Sequence, residues 1–332
     1  QNLATREWVI IAPERGLKPK KLTEKDTTPS IGKLEYSPNC PFCRGNEEKF
    51  PIIETLKINH ENSDKWVVRA IENKYKILDN YHYCPFQPER FKSEGIYMKT
   101  HGCGFHDLVI ESPFHNKIIA TMSSEEVEYI IDAYLDRYYI FGKNTNNLIT
   151  IIFKNHGVKA GASQHHAHSQ VVGSRVVPIY TRFLLQEAQR YFDSVGICVY
   201  CEILEYEIKD QKRVILENNS FIAIVPFAAR VPYETWIIPK RHIASFGKIN
   251  DKDKKDFAEI LQKALDKFYR ILNNPDFNYV IHSAPYPLSE VPFYHWHLQV
   301  LPIMQTSGGF EVGTRISVNP VTPEESAKKL KE

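Results

Sequence analysis

The chain has 332 residues, 42% of them hydrophobic and 25% charged, with a formal net charge of +2 at pH 7. That length allows one large or two ordinary domains, and so balanced a charge supplies no field of the kind that binds nucleic acid. No apolar run approaches the roughly 18 residues of a membrane span, and the N-terminus lacks a basic stretch followed by an apolar one, so neither a membrane nor a secretory leader is expected and a cytoplasmic protein is.

The first elements are strands. WVIIA (8–12) and WVVRAI (66–71) are β-branched and aromatic. Arg15, Lys18, Lys20 and Lys21 follow the first of them, as a solvated segment or a contact for an anionic substrate. Between the two strands lies a turn-rich loop with a CxxC pair, Cys40 and Cys43. FHDLVIES reads as another strand. A helix follows, with Ser123 and Glu126 at capping-box spacing and Val127, Ile130, Ile131 and Tyr134 on one face. NLITIIFKN is a strand, and a loop leads from it into HHAHSQVVG, whose alternation suits a strand.

The second half repeats this order. A second CxxC pair, Cys198 and Cys201, precedes the strands SFIAIVP and ETWIIP. The helix DKKDFAEILQKALDKFYRIL comes next, then the strand FNYVIHSAP, a proline-rich loop and the strand YHWHLQVLP. Each half therefore runs CxxC, strand, His, helix, strand, loop, HxHxQ. A period of half the chain implies two fused copies of one domain, 1–178 and 179–332. The tail TPEESAKKL reads as a short helix with Pro323 early in it.

Each half also carries a metal-ligand set. The first is Cys40, Cys43, His115 and His166; the second is Cys198, Cys201, His242 and His295. The two histidines lie 51 residues apart in the first half and 53 in the second. Two cysteines on a tight loop and two imidazoles make the four-coordinate shell that Zn2+ prefers. A shell with four protein ligands has no open position, so two structural zinc ions are expected. In the second half His282 and His297 compete as ligands. Cys84 and Cys103 have no such partners and are expected as packed or surface thiols without a role.

The stretch FKNHGVKAGASQHHAHSQVV carries the chemistry. His166 and His168, two apart on a strand, would share a face, one on metal and one toward substrate. A neutral imidazole is a good nucleophile toward an activated phosphoryl group when its other nitrogen is tied to a carbonyl. Such an attack also needs donors for the non-bridging oxygens. Asn155, Gly157, Gly161, Ala162 and Ser163 form a loop able to present N–H groups to phosphate, and Gln170 shares the face of His168. The second copy has His295, His297 and Gln299, but its upstream loop holds three prolines, which donate no N–H. It is expected to be a decayed, structural copy in which His297 still lines a pocket.

NHGVKAGASQHHAHSQ resembles the signature of the galactose-1-phosphate uridylyltransferase branch of the histidine-triad superfamily. WVIIAPERG, CPFCRGNE, WVVRAIENKYKIL, GFHDLVIESPFH, IIPKRH and GGFEVGT extend the resemblance nearly end to end. It implies an α+β fold of two fused histidine-triad repeats, each an antiparallel sheet with packed helices, in a homodimer. It also implies a ping-pong reaction between a nucleotide-sugar and a sugar 1-phosphate, with the nucleoside monophosphate held on His168. By resemblance Gln170 contacts the transferred phosphoryl group, and Asn155, Gly161 and Ser163 form its loop. Asn73 touches the nucleotide, while Arg15 and Lys18 approach the neighbouring subunit's substrate. Cys40, Cys43, His115 and His166 match the family's zinc ligands.

Two departures bear on the substrate. The bacterial uridylyltransferases bind a second metal through a glutamate and three histidines, and the glutamate position falls at Leu184. They also carry a Tyr-Glu pair where this chain has Thr314 and Arg315. Both features, with Cys198 and Cys201, are closer to the ADP-glucose phosphorylase type. Uridylyl transfer from UDP-glucose is the first expectation, and adenylyl transfer with ADP-glucose the second. A zinc-stabilised binding module without turnover is a third. A histidine-triad hydrolase is disfavoured, because Gln170 stands where that type has a further histidine, and glutamine is no general acid.

Overall fold

Both halves of the chain contribute to one sheet and meet edge to edge within it. The computed structural model describes residues 1–17, 34–50, 52–60, 63–84, 91–306 and 308–332. Lys18 lies outside the described residues. The chain opens with β1 (Val9–Ile11). The first half then supplies β2 (Glu54–Asn59), β3 (Trp66–Glu72), β4 (Asp79–Asn80), a hairpin of β5 (Lys92–Glu94) and β6 (Tyr97–Lys99), β7 (Cys103–Ile110), helix α1 (Ser124–Gly142), β8 (Ile149–His156) and β9 (His168–Ser174). The second half adds α2 (Ile179–Val195), α3 (Val199–Asp210), β10 (Val214–Glu217), β11 (Phe221–Ile224), β12 (Thr235–Pro239), α4 (Asp251–Ile271), β13 (Phe277–His282), β14 (His297–Pro302), α5 (Gly309–Thr314), β15 (Ser317–Asn319) and α6 (Pro323–Lys331).

The sheet runs β10-β11-β12-β14-β13-β8-β9-β7-β3-β2, with β4 also on β7. Outward from the β8–β13 junction, the first half gives β8, β9, β7, β3, β2 and the second gives β13, β14, β12, β11, β10. The order is the same, so the internal duplication governs the topology. The junction is antiparallel, from Phe277 opposite His156 to Ile281 opposite Ile152. β1 and β15 form a separate parallel pair that ties the two ends of the chain together.

One face of the sheet is packed by α1 and α4. Their Val127, Ile131, Phe257 and Leu261 bury against Val171, Ile237, Leu298 and Val300. Local chemistry starts both helices as capping boxes. Ser123 Oγ accepts the Glu126 N–H at 3.2 Å while Glu126 accepts the Ser123 N–H at 2.9 Å, and Asn250 and Asp253 do the same for α4. Each cap is worth about 1 kcal/mol. On the opposite face α2 and α3 cover the second half through Leu185, Tyr200 and Leu204. Over the first half, among the described residues, that face holds a small cluster around Phe42, Trp66, Ile71 and Leu108, and beside it lies an open cleft. No helix among the described residues is long and apolar enough to cross a membrane.

Three features depart from the sequence reading. The second CxxC pair does not sit in a loop: Cys198 caps α3 and Cys201 lies in its first turn. Helix α2 was not expected, and it carries the buried Leu184. Cys84 and Cys103, expected as unpaired thiols, form a disulfide with their Cα atoms 6.1 Å apart. The parallel pairing of Asp79 with Cys103 brings the two segments together, a long-range contact without a spacing signal.

Candidate active site and metal clusters

His168 opens β9, and its side chain points to the open face. The alternation is visible in its neighbours: Ser169 hydrogen-bonds Tyr134 of α1 on the helix side, while His168 and Gln170 line the cleft. His166 is not on the strand; it lies in the turn just before it. The two histidines are nevertheless linked, because His168 Nδ1–H donates to the His166 carbonyl at 2.9 Å. That bond leaves Nε2 without the hydrogen, as a nucleophile requires. Burial lowers the pKa of His168, and nearby Lys154 lowers it further, so the neutral ring is favoured.

The cleft has a volume of about 950 Å3 and is lined by Phe42, Asn73, Leu108, Ser163, His168 and Gln170 among others. Phe42, between the two cysteines of the first CxxC pair, lies over the His168 ring with centroids 5.4 Å apart. A narrow pocket adjoins on the loop side, where Asn155, Gly157 and Ala162 meet His168. The loop's shape demands its glycines. Gly161 has φ +88°, and at Gly157, φ +86°, a Cβ would fall 2.2 Å from the Asp276 carboxyl. Asn155 Oδ1 accepts from Asn278 Nδ2 at 2.9 Å, which aims the Asn155 amide hydrogens toward Gly161.

The structure thus gathers His168, Gln170, Ser163 and Asn73 around the cleft and places Asn155 on the adjoining pocket, while Gly161 lines neither and stands behind Asn155. Arg15 does not join them: it is exposed, in the 3-10 turn Pro13–Leu17, and does not line the cleft.

Both expected metal sets converge. The donor atoms of Cys40, Cys43, His115 and His166 lie within 4.8 Å of one another, as do those of Cys198, Cys201, His242 and His295. In the first set, Cys43 Sγ is 3.5 Å from both His115 Nδ1 and His166 Nδ1, and Cys40 Sγ is 3.6 Å from His166 Nδ1. In the second, Cys201 Sγ is 3.4 Å from His242 Nδ1 and 3.6 Å from His295 Nδ1. The outer nitrogens of two of these rings are tied down: His166 Nε2 donates to Ser112 O at 2.7 Å and His242 Nε2 to Val291 O at 3.2 Å. Such bonds fix the ring orientation of metal-binding histidines. His282 and His297 stay outside this set and stack on each other, centroids 4.9 Å apart.

Three contributors were missed in the sequence. Beneath His168, Lys154 Nζ donates to the His168 carbonyl at 3.0 Å and to Glu111 Oε2 at 2.7 Å. His106 on β7 donates from Nε2 to Gln170 Oε1 at 2.8 Å. Asn278 orients Asn155 from the other repeat. His106 and Lys154 fall within predicted strands, but only the pairing register brings them to the site.

Fold, duplication and paired Cys/His clusters define a two-repeat α+β protein with an open cleft beside His168. The chain belongs to the galactose-1-phosphate uridyl transferase family, a family of nucleotidyltransferases: residues 1–178 match the model of its N-terminal domain and 184–332 that of its C-terminal domain. It is 36% identical over 331 residues to the ADP-glucose phosphorylase of Arabidopsis thaliana, covering 99% of this chain and 90% of that one. It is 26% identical to the galactose-1-phosphate uridylyltransferase of Thermotoga maritima, covering 100% and 96%. The crystal structure of an Arabidopsis thaliana ADP-glucose phosphorylase with bound ADP-glucose superposes with a TM-score of 0.85 at 33% identity, covering 100% of this chain and 97% of that one.

Proposed function

We propose that this chain is a hexose-1-phosphate nucleotidylyltransferase working through a nucleotidyl-histidine at His168. Nε2 attacks the α-phosphorus of a nucleotide-sugar bound in the cleft. The bond from that phosphorus to the bridging oxygen breaks, and sugar 1-phosphate leaves with the electron pair. An oxygen of a second hexose 1-phosphate, or of inorganic phosphate, then attacks the same phosphorus and restores the free ring. The Asn155–Ser163 loop and Gln170 supply donors to the non-bridging oxygens as charge develops. The observation that carries this reading is the bond from His168 Nδ1 to the His166 carbonyl, which presents an unprotonated Nε2 to the cleft.

Zinc fits both Cys/His clusters. A tetrahedral ion with Zn–S near 2.3 Å and Zn–N near 2.0 Å has S···N edges of about 3.5 Å, and the five Cys–His edges named above are 3.4–3.6 Å. Each ion would hold a loop or helix start in place and leave no position for substrate. The second repeat is read as structural. In a cytoplasmic homodimer, Arg15 and Lys18 would serve the neighbouring subunit's site, which accounts for the distance of Arg15 from its own.

UDP-glucose is one donor that fits the family. ADP-glucose is favoured by the 36% identity to a phosphorylase of that sugar nucleotide and by the Cys198–Cys201 cluster in place of a glutamate at Leu184. Intact-mass measurement after mixing with each donor tests both, with H168A as the control. A uridylyl or an adenylyl adduct absent from H168A names the base. No adduct with either, in zinc-loaded protein, overturns the covalent route.

A further inference from the structure

We infer that His106 is a positioning residue that sets which end of the Gln170 amide faces the phosphoryl group. The inference rests on the nucleotidyl-transfer reading and adds a residue to it. A backbone N–H can only donate, and that of Ile77 points at His106 Nδ1 from 3.1 Å. Nδ1 is therefore the acceptor nitrogen, and in the neutral ring the hydrogen sits on Nε2. Burial favours that neutral ring. Nε2–H needs an acceptor, and it has Gln170 Oε1 at 2.8 Å. Asn73 Nδ2 lies 3.1 Å from the same nitrogen, but its own Oδ1 is held by the Tyr75 N–H, so this is a contact of two donors and adds no bond. With its oxygen held by His106, Gln170 has its NH2 group left for the cleft beside His168. A flipped amide would offer an oxygen to the phosphate instead.

The second repeat shows the opposite arrangement at the equivalent place. Gln299 faces Trp236 across β14 and β12, as Gln170 faces Leu108 across β9 and β7. Two residues before Trp236 stands Glu234, where the first repeat has His106. The carboxylate accepts from Gln299 Nε2 at 2.5 Å, and Gln299 Oε1 is bound to His282 Nε2 at 3.0 Å. Both ends of that amide are engaged, and one of its two N–H donors is spent on Glu234. Exchanging histidine for an acceptor thus reverses the glutamine.

H106Q and H106E test this as a nearly isosteric pair, the first able to donate to Gln170 Oε1 and the second only to accept. Single-turnover adduct formation and donor binding are measured separately. H106Q should stay within about threefold of the parent, while H106E should slow adduct formation about a hundredfold, as expected for the loss of one oxyanion donor, with donor affinity changed far less. In a Q170A background the two variants should react at the same rate. Equal rates for H106Q and H106E with Gln170 present, or a difference that persists in Q170A, would overturn the inference. Should H106E fail to fold, H106L carries the comparison, and a rate equal to that of H106Q overturns it likewise. Absence of any adduct in the parent protein would instead sink the nucleotidyl-transfer reading itself.

Discussion

The indole of Trp236 lies over the imidazole of His297, with ring centroids 4.8 Å apart and planes 31° from parallel. Leu108, at the equivalent register in the first repeat, is small enough to leave a cleft there. Tyr200 of α3 closes on His297 as well, at 5.2 Å. His297 keeps the position of His168, yet it is buried among aromatic rings, outside the adjoining cavity of about 290 Å3. The expectation that His297 lines a pocket is therefore corrected by the bulk of its neighbours. We predict one nucleotidyl group per chain at saturation, unchanged in H297A and absent in H168A. A second group in the intact mass would contradict the burial of the second histidine.

Lys154 and Glu111 form an ion pair whose side chains are 2% and 0% exposed. Glu111 also accepts from Ser169, so its carboxylate anchors the residue next to the nucleophile. Removing one partner of such a pair leaves a buried charge, at a cost of about 3–5 kcal/mol, whereas removing both is often neutral. K154M should lower the unfolding free energy in urea by that amount, and K154M/E111L should recover most of it. Adduct formation should stay slow in both, because each lacks the bond from Lys154 to the His168 carbonyl. Recovery of rate together with stability would show that the pair acts on folding alone.

What could be read from the sequence was local or repeated. Ser123 and Glu126 are three residues apart, and their capping box needs nothing from the rest of the chain. His168 and Gln170 share a face because a strand alternates. The two Cys/His sets were legible because the chain states the pattern twice. Partners set by pairing register were not legible: His106 meets Gln170 only because β7 lies antiparallel to β9, and Asn278 reaches Asn155 only across the junction of the repeats. Cys84 and Cys103 are joined through the small parallel strand β4, which no periodicity announces. Helix α2 begins after Pro178 without a side-chain cap, so its start carried no signal.

The two metal clusters should differ in their effect on chemistry. The first includes His166, whose carbonyl holds His168; the second lies at α3 in the other repeat. Without metal, burial pushes the Cys43 thiol up to about 11, so filling the first site must release a proton and zinc affinity should rise with pH. Elemental analysis should find two zinc ions per chain. C43S should retain one and lose adduct formation. C201S should retain one, react at close to the parent rate and unfold at lower temperature. Equal loss of activity in both variants would mean that the second cluster also supports the nucleophile.

The pH profile of the first half-reaction follows from the burial of His168. Burial is the main cause of its lowered pKa and Lys154 adds to it, while the bond to the His166 carbonyl and the Glu111 charge oppose them. Only the neutral ring attacks, so the rate tracks the unprotonated fraction. An ordinary histidine, with a pKa near 6.5, would lose half its neutral form at that pH. With the value lowered, the neutral form persists to more acid conditions. The midpoint of single-turnover adduct formation should therefore lie on the acid side of pH 6.5. E111Q removes an opposing charge and should push the fall to still lower pH, which a rapid-quench series between pH 5 and 8 would resolve. A midpoint at or above 6.5 in the parent would mean that binding of the anionic donor, and not burial, sets the protonation of the nucleophile.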